Sequence, residues 1–311
     1  MTKKSLLTFY DWQPAQAERL LALALQVKQN PHQYATALAG KSIIALFEKP
    51  SLRTRVSFDI GINKLGGHLV YLDSQSNNLA GREDIKDMGA NFACWADAII
   101  ARVFKHETLE TLDAAAKVPV VNALCDRFHP CQAMADYLSV LETYGSVKGR
   151  TLAYVGDGNN VTHSLLLLGA LLGCNQWVVT PPGFEVDTDI LAKAQSIAQQ
   201  TGCDITVTTD INALANSSNS IDVIYTDTWL SMGDNTPLAE IKQTFMPYQV
   251  NEALMSLSGA KHVMHCQPAH RDLEISGSLM DSEASLLMLQ AENRMHAQNA
   301  ILIELLATTE G

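Results

Sequence analysis

Phe47-Glu48-Lys49-Pro50-Ser51-Leu52-Arg53-Thr54-Arg55 closes one pattern and opens another. The run Ile43 to Phe47 before it reads as a buried parallel strand. Pro50 stops that strand, and Ser51 can cap a helix carrying Val56, Phe58, Ile60 and Leu65. The first-turn N–H groups of such a helix point outward, with the helix dipole behind them. With Arg53 and Arg55 beside them they form an anion trap, better suited to phosphate than to a carboxylate. An ordinary capped helix with solvated arginines uses the same residues, so the rest of the chain decides.

Outward from this stretch, strand-length apolar runs alternate with helical patterns. Leu20, Leu21, Ala24, Leu25 and Val27 recur at helical spacing, and Asn30-Pro31 ends that helix. Ile43–Phe47, Leu69–Leu72, Ala98–Val103 and Val118–Leu124 read as strands, and a long helix starts after His129. A second alternation takes Thr151–Val155, Trp177–Thr180, Ile205–Thr208, Val223–Tyr225 and His262–His265 as strands. Ser164–Leu172, Asp189–Gln200 and Asn251–Leu257 are among its helices. The expected fold is α/β, with two doubly wound, parallel-sheet, Rossmann-like domains joined by long helices. The domains are expected at residues 1–145 and 146–284, with a terminal helix over 285–308 packing back on the first. A length of 311 residues fits two domains.

Hydrophobic residues make up 47% of the chain and charged residues 18%, which excludes extended disorder. A net charge of −11 argues against nucleic acid or an anionic membrane surface as the main partner. The arginine cluster is therefore a local feature of an acidic protein. Six scattered cysteines, at positions 94, 125, 131, 174, 203 and 266, read as reduced thiols. Asp11 and Gln13 break the amino-terminal apolar run too early for a signal peptide, and the longest apolar stretch is Leu165–Leu172. The expectation is a cytoplasmic, soluble protein.

Val155-Gly156-Asp157-Gly158-Asn159-Asn160 follows a strand and precedes a helix, but Val161 stands where a dinucleotide fingerprint needs its third glycine. Ligands still gather at the carboxyl ends of strands in such sheets, so Asn160 is either a ligand contact or a helix cap. Arg102 alternates with Ile100 at a strand end, where a solvated arginine is the plain reading. His129 and Gln132 lie three residues apart at a helix start, so both can face one ligand. Asp227, at the carboxyl end of Val223–Tyr225, is a ligand group or a cap. His262, His265, Cys266 and His270 also read as a soft-metal alternative with poorly matched spacing.

Ser51-Leu52-Arg53-Thr54-Arg55, His129-Pro130-Cys131-Gln132, the stretch from Asp227 to Ser231-Met232-Gly233, and His265-Cys266-Gln267-Pro268 occur in order. Ala291-Glu292-Asn293-Arg294-Met295-His296-Ala297-Gln298 follows them. By these motifs the chain resembles the aspartate/ornithine carbamoyltransferase family from about residue 6 to residue 306. The resemblance implies that Ser51, Arg53, Thr54 and Arg55 hold the phosphate of carbamoyl phosphate. Leu52 offers its backbone N–H where the family has Thr. Arg102 joins them, His129 and Gln132 bond the carbamoyl oxygen and nitrogen, and Arg294 lies against the carbamoyl oxygen.

For the amino-acid substrate, L-ornithine, the resemblance assigns Asp227 to the α-amino group. It makes Ser231 and Met232 part of a closing loop, and Asn160 completes the clamp. Cys266 belongs near the reacting δ-amine, and the carbonyl of Gln267, where Leu is usual, receives a carbamoyl N–H. The implied catalytic set is Arg102, His129, Asp227, Cys266 and Arg294, with no metal and no cofactor. The polar loop Gly81–Asp87, including Lys86, falls where related enzymes reach an adjacent subunit's site, with Asp84 at a frequent Ser position.

The implied reaction gives L-citrulline and phosphate, as in arginine biosynthesis, by a homotrimer. Carbamoyl phosphate binds first, and the rate rises above neutral pH as the amine loses its proton. The alternatives are a carbamoyltransferase for putrescine or an N-acylated ornithine, and a non-catalytic homologue that binds carbamoyl phosphate.

Overall fold

The computed structural model describes residues 4–73, 83–217, 220–229 and 236–307. The chain divides into two compact units, Met1–Leu138 with Asn293–Gly311, and Ser139–Glu292. The first contains α1 (Pro14–Gln29), β1 (Ser42–Phe47), α2 (Leu52–Lys64), β2 (His68–Asp73), α3 (Ile85–Phe92), β3 (Ala98–Arg102), α4 (His106–Ala115) and β4 (Val120–Leu124). The chain leaves it within α5 (Pro130–Tyr144). The second contains β5 (Thr151–Val155), α6 (Asn160–Leu171), β6 (Asn175–Val179), α7 (Thr188–Thr201), β7 (Ile205–Thr208), β8 (Val223–Thr226), α8 (Leu238–Phe245), α9 (Glu252–Ser258), β9 (His262–His265) and α10 (Gly277–Met280). In α11 (Leu287–Ala307) the chain returns to the first unit.

Both sheets are parallel, in the orders β2-β1-β3-β4 and β7-β6-β5-β8-β9. β1 and β3 are almost wholly buried Ile, Ala, Leu and Phe, the composition a sheet covered on both faces requires. β2, at the edge, alternates exposed His68 and Val70 with half-buried residues. In each unit the chain starts at an interior strand, works to one edge, then returns past its start to the other edge. The reversal falls between β1 and β3 in one sheet and between β5 and β8 in the other. With right-handed crossovers, successive helices cover opposite faces there, and the loops at the strands' carboxyl ends diverge. Those loops carry Ser51 and Arg102 in the first unit and Asn160 and Asp227 in the second.

Three local differences from the sequence reading have simple causes. β6 begins at Asn175 rather than Trp177, because buried Gln176 donates its side-chain amide to the Leu166 carbonyl at 3.0 Å and so behaves as core. α6 begins at Asn160 rather than Ser164, because Asn159 caps it. On α2 the residues turned inward are Thr54, Phe58, Gly61 and Ile62. Leu52, Val56 and Ile60, spaced i, i+4, i+8, are instead 76%, 43% and 47% exposed. α2 is therefore apolar on two faces, and only one is covered by the described residues.

α11 meets α2 closely. A Cβ at Gly61 would press on Asn299 Oδ1 and stand 3.2 Å from Met295 Cγ, so a larger residue would have to displace these α11 side chains. Among the described residues, no helix is long and apolar enough to cross a membrane.

Candidate active site

In the first unit the site is built on the start of α2. Ser51, extended at φ −157°, caps the helix by accepting the Thr54 N–H at 3.4 Å. Among the described residues the first helical bond closes from the Arg55 N–H to the Ser51 carbonyl, at 3.1 Å, which leaves the N–H groups of Leu52 and Arg53 for a ligand. Arg53 and Arg55 are exposed beside them, and the Arg55 guanidinium lies 4.1 Å from the centre of the Tyr71 ring. From the end of β3, buried Arg102 donates its Nε–H to the Lys49 carbonyl at 3.2 Å, which turns the guanidinium toward the same loop. Burial, with Arg102 close by, lowers the pKa of the Lys49 ammonium.

Arg294, on α11, reaches this cluster from far along the chain. It donates to Thr54 Oγ1 at 2.8 Å, to Gln132 Oε1, and to His129 Nε2 at 3.2 Å, all buried. Because a guanidinium only donates, His129 Nε2 must accept, and the ring carries its proton on Nδ1. Burial first, then Arg294 and Arg102, push the His129 pKa well below 6.5, which agrees with a neutral ring. The positive charge of this cluster therefore resides on the arginines. Gln132 is committed at both ends, since its Nε2 donates to Asp136 at 2.7 Å. The Cys131 thiol between them is pushed up to about 12 by burial and donates to the Asn122 carbonyl at 3.4 Å, so it is no nucleophile.

In the second unit the centre is Asp227, just beyond β8 and only 7% exposed. Its Oδ1 accepts the Thr228 N–H at 2.7 Å and the Cys266 thiol at 2.8 Å; its Oδ2 accepts Nδ2–H of Asn159 at 2.9 Å. These donors follow three adjacent strands, β5, β8 and β9. Asp227 is thus a held carboxylate and not a helix cap. The cap of α6 is Asn159, whose Oδ1 accepts from Val161 and Thr162 at 2.9 and 3.2 Å, while half-buried Asn160 is the first helical residue.

Behind Cys266, fully buried His265 accepts the Gln267 N–H on Nδ1 at 2.8 Å, and its Nε2 donates to buried Glu274 at 3.1 Å. Gln267 itself sits at φ +57°, outside the usual region for a non-glycine residue, and precedes a cis proline.

Asp227, His265 and Cys266 bring potential ligand atoms within 4.8 Å of one another. Both nitrogens of His265 and both oxygens of Asp227 already serve the hydrogen bonds above, so the group is built as a polar network. His262, from the soft-metal alternative, lies at the opposite end of β9, ~10 Å of strand away, and pairs with the Tyr144 hydroxyl at 2.7 Å.

Ser231 and Met232, with Gly233, lie outside the described residues, as do Gly81 and Arg82 of the polar loop. Asp84 of that loop caps α3 by accepting the Lys86 N–H at 2.9 Å. Sequence reasoning missed Asn159 and Glu274. Asn159 stands beside Asn160, and the amide order at a strand–helix junction does not tell which one caps. Glu274 has no motif around it.

Comparison with known proteins covers both units. Residues 4–142 match the carbamoyl-P binding domain of aspartate/ornithine carbamoyltransferase, and residues 148–305 match the Asp/Orn binding domain. The chain is 56% identical over 303 residues to the ornithine carbamoyltransferase of Vibrio sp. (strain 2693), covering 97% of this chain and 99% of the relative. It is 55% identical, with the same coverage, to that of Moritella abyssi. The solved ornithine carbamoyltransferase of Pyrococcus furiosus superposes with a TM-score of 0.90 at 40% identity, covering 97% of each chain.

Proposed function

This chain belongs to the aspartate/ornithine carbamoyltransferase family, and from that premise we propose that it transfers the carbamoyl group of carbamoyl phosphate to the δ-amine of L-ornithine, giving L-citrulline and phosphate. The observation that carries the choice of amine is Asp227. A held carboxylate with a thiol beside it is a counter-charge for the α-ammonium of ornithine and repels a dicarboxylic acid such as aspartate. Putrescine lacks the α-substituents that Asp227 and Asn160 would recognise.

Carbamoyl phosphate has a dianionic end and a reactive carbonyl. Its phosphate takes the α2 N–H groups with Ser51, Arg53, Thr54, Arg55 and Arg102. Its carbonyl oxygen takes Arg294, which the neutral side chains of His129 and Gln132 hold in place. The unprotonated δ-amine attacks the carbonyl carbon, negative charge grows on the oxygen, the C–O bond to phosphate breaks, and the departing phosphate accepts the amine proton. Fixed donors aimed at that oxygen lower the barrier by several kcal/mol, by analogy with other oxyanion sites. Thr54 and Gln132 hold Arg294 in place beforehand, so little reorganisation remains for the reaction itself.

The proposal extends to a cytoplasmic enzyme of arginine biosynthesis, working as a homotrimer without metal or cofactor. The exposed stripe Leu52, Val56, Ile60 supports self-association, because it adjoins the phosphate-binding turn and has no cover within the chain. Light scattering is expected to give three times the mass of one chain.

Citrulline formation, or carbamoylated product, measured in parallel with ornithine, putrescine and N-acetylornithine tests the choice of amine. Ornithine should be turned over fastest, with a rate that climbs from pH 6 to 9. Equal or faster turnover of putrescine overturns it.

A further inference from the structure

We propose that Asn159 is a positioning residue for the reaction: besides capping α6, it fixes the orientation of the Asp227 carboxylate that receives ornithine. The inference rests on the reading of the second unit as the ornithine site.

The two ends of an asparagine amide are chemically distinct, and here each has an unambiguous partner. Oδ1 accepts the N–H groups of Val161 and Thr162, which can only donate, so the NH2 end must face Asp227. On the carboxylate, the Thr228 N–H and the Cys266 thiol both hold Oδ1. They act as a pivot on one oxygen. The terminal torsion of aspartate is soft, so a pivot alone leaves the second oxygen free to swing. Asn159 donates to Oδ2 from 2.9 Å away and stops that swing.

Asn159 is itself a rigid post. Its carbonyl oxygen is tied to the first turn of α6, a helix buried from Val161 to Leu171. The residue before it is pinned as well. The Gly158 N–H donates to the Phe184 carbonyl at 2.8 Å, and a Cβ at Gly158 would stand 2.6 Å from the Val186 nitrogen. The chain therefore passes through this point in one place only. Capping alone needs an oxygen at position 159, which Ser, Thr or Asp would supply as well. Holding Oδ2 of Asp227 needs a neutral donor on the same side chain, and asparagine provides both.

Asn159→Asp separates the two roles, because it keeps the shape and the capping oxygen but replaces the donor with an acceptor. We expect KM for ornithine to rise about tenfold or more at pH 8, with KM for carbamoyl phosphate within about twofold of wild type and no loss of α6 capping in the melting temperature. Asn159→Ser keeps a capping hydroxyl, adds no charge and is too short to reach Asp227. It carries the same expectation for KM, and it decides the matter where Asn159→Asp does not fold. Wild-type ornithine kinetics in either folded variant return Asn159 to a simple cap and overturn the proposal. Should the wild-type enzyme itself form no citrulline, the ornithine reading fails first, and the proposal falls with it.

Discussion

At the reversal point of the first sheet, the start of α2 is left open and ringed by cations. At the reversal point of the second, the start of α6 is closed by Asn159, and the nearby charge is a carboxylate. The strands, their parallel pairing and the position of the loop are alike in the two units. What differs is a handful of residues just past the strand ends: Ser51, Arg53, Arg55 and Arg102 in one, Asn159, Asp227 and Cys266 in the other. Equivalent scaffolds thus present opposite charges, and the sheet supplies the place while the loop supplies the chemistry. A phosphate needs unpaired helix N–H groups, whereas an ammonium needs them silenced. Ser51 caps one amide, at 3.4 Å, and Asn159 caps two, at 2.9 and 3.2 Å.

The largest effect expected from breaking this contrast is on the cationic side. Arg294→Ala removes the donor proposed for the growing oxyanion and takes their shared partner from Thr54, Gln132 and His129. Steady-state assays should show kcat reduced about 1000-fold. On the anionic side, Asp227→Asn should lower kcat/KM for ornithine by about 100-fold while KM for carbamoyl phosphate moves less than about twofold. Arg55→Ala should do the reverse, weakening carbamoyl phosphate first. Similar losses for both substrates in both variants would dissolve the division of labour.

Gly61→Ala tests how the cationic side is held together. Its Cβ would press on the side chains of Asn299 and Met295, so those side chains must move aside, and urea unfolding should show a loss of about 1 kcal/mol. The smallest effect expected is a pH dependence of stability. Burial lowers the pKa of His106, His129 and His262 below 6.5. Below pH 6.5 the unfolded chain then binds protons that the native chain refuses, so this stability is present at neutral pH and lost as the pH falls from 6.5 toward the depressed native values. The melting temperature should drop by ~3 °C between pH 7 and 5.5. Two of the three histidines lie in the first unit, so amide protection factors, corrected for the intrinsic pH dependence of exchange, should fall more there than in Ser139–Glu292.

The fold was legible because central parallel strands must be apolar throughout, and Ile43–Phe47 and Ala98–Ala101 state this directly. Edge and junction positions were less legible. Val56 and Ile60 look like core on any helical plot, yet only three-dimensional packing tells which apolar face of α2 is covered within the chain. At the site, residue types were readable and their electrical states were not. The neutral ring of His129 follows from Arg294 bonding its Nε2, a contact between residues 165 apart in the chain. The same holds for Asn159, whose second role exists only because β5 and β8 are neighbours.

Arg294 belongs to the first unit, but the chain reaches it only after Ser139–Glu292. During synthesis the strands and α2 of the first unit emerge early, while the guanidinium that locks Thr54, Gln132 and His129 leaves the ribosome on the order of ten seconds later. A chain cut short within Ser139–Glu292 lacks Arg294, and with it the partner shared by Thr54, Gln132 and His129. Translation order therefore sets an order of assembly: this buried cluster of the first unit can close only after the second unit has been made.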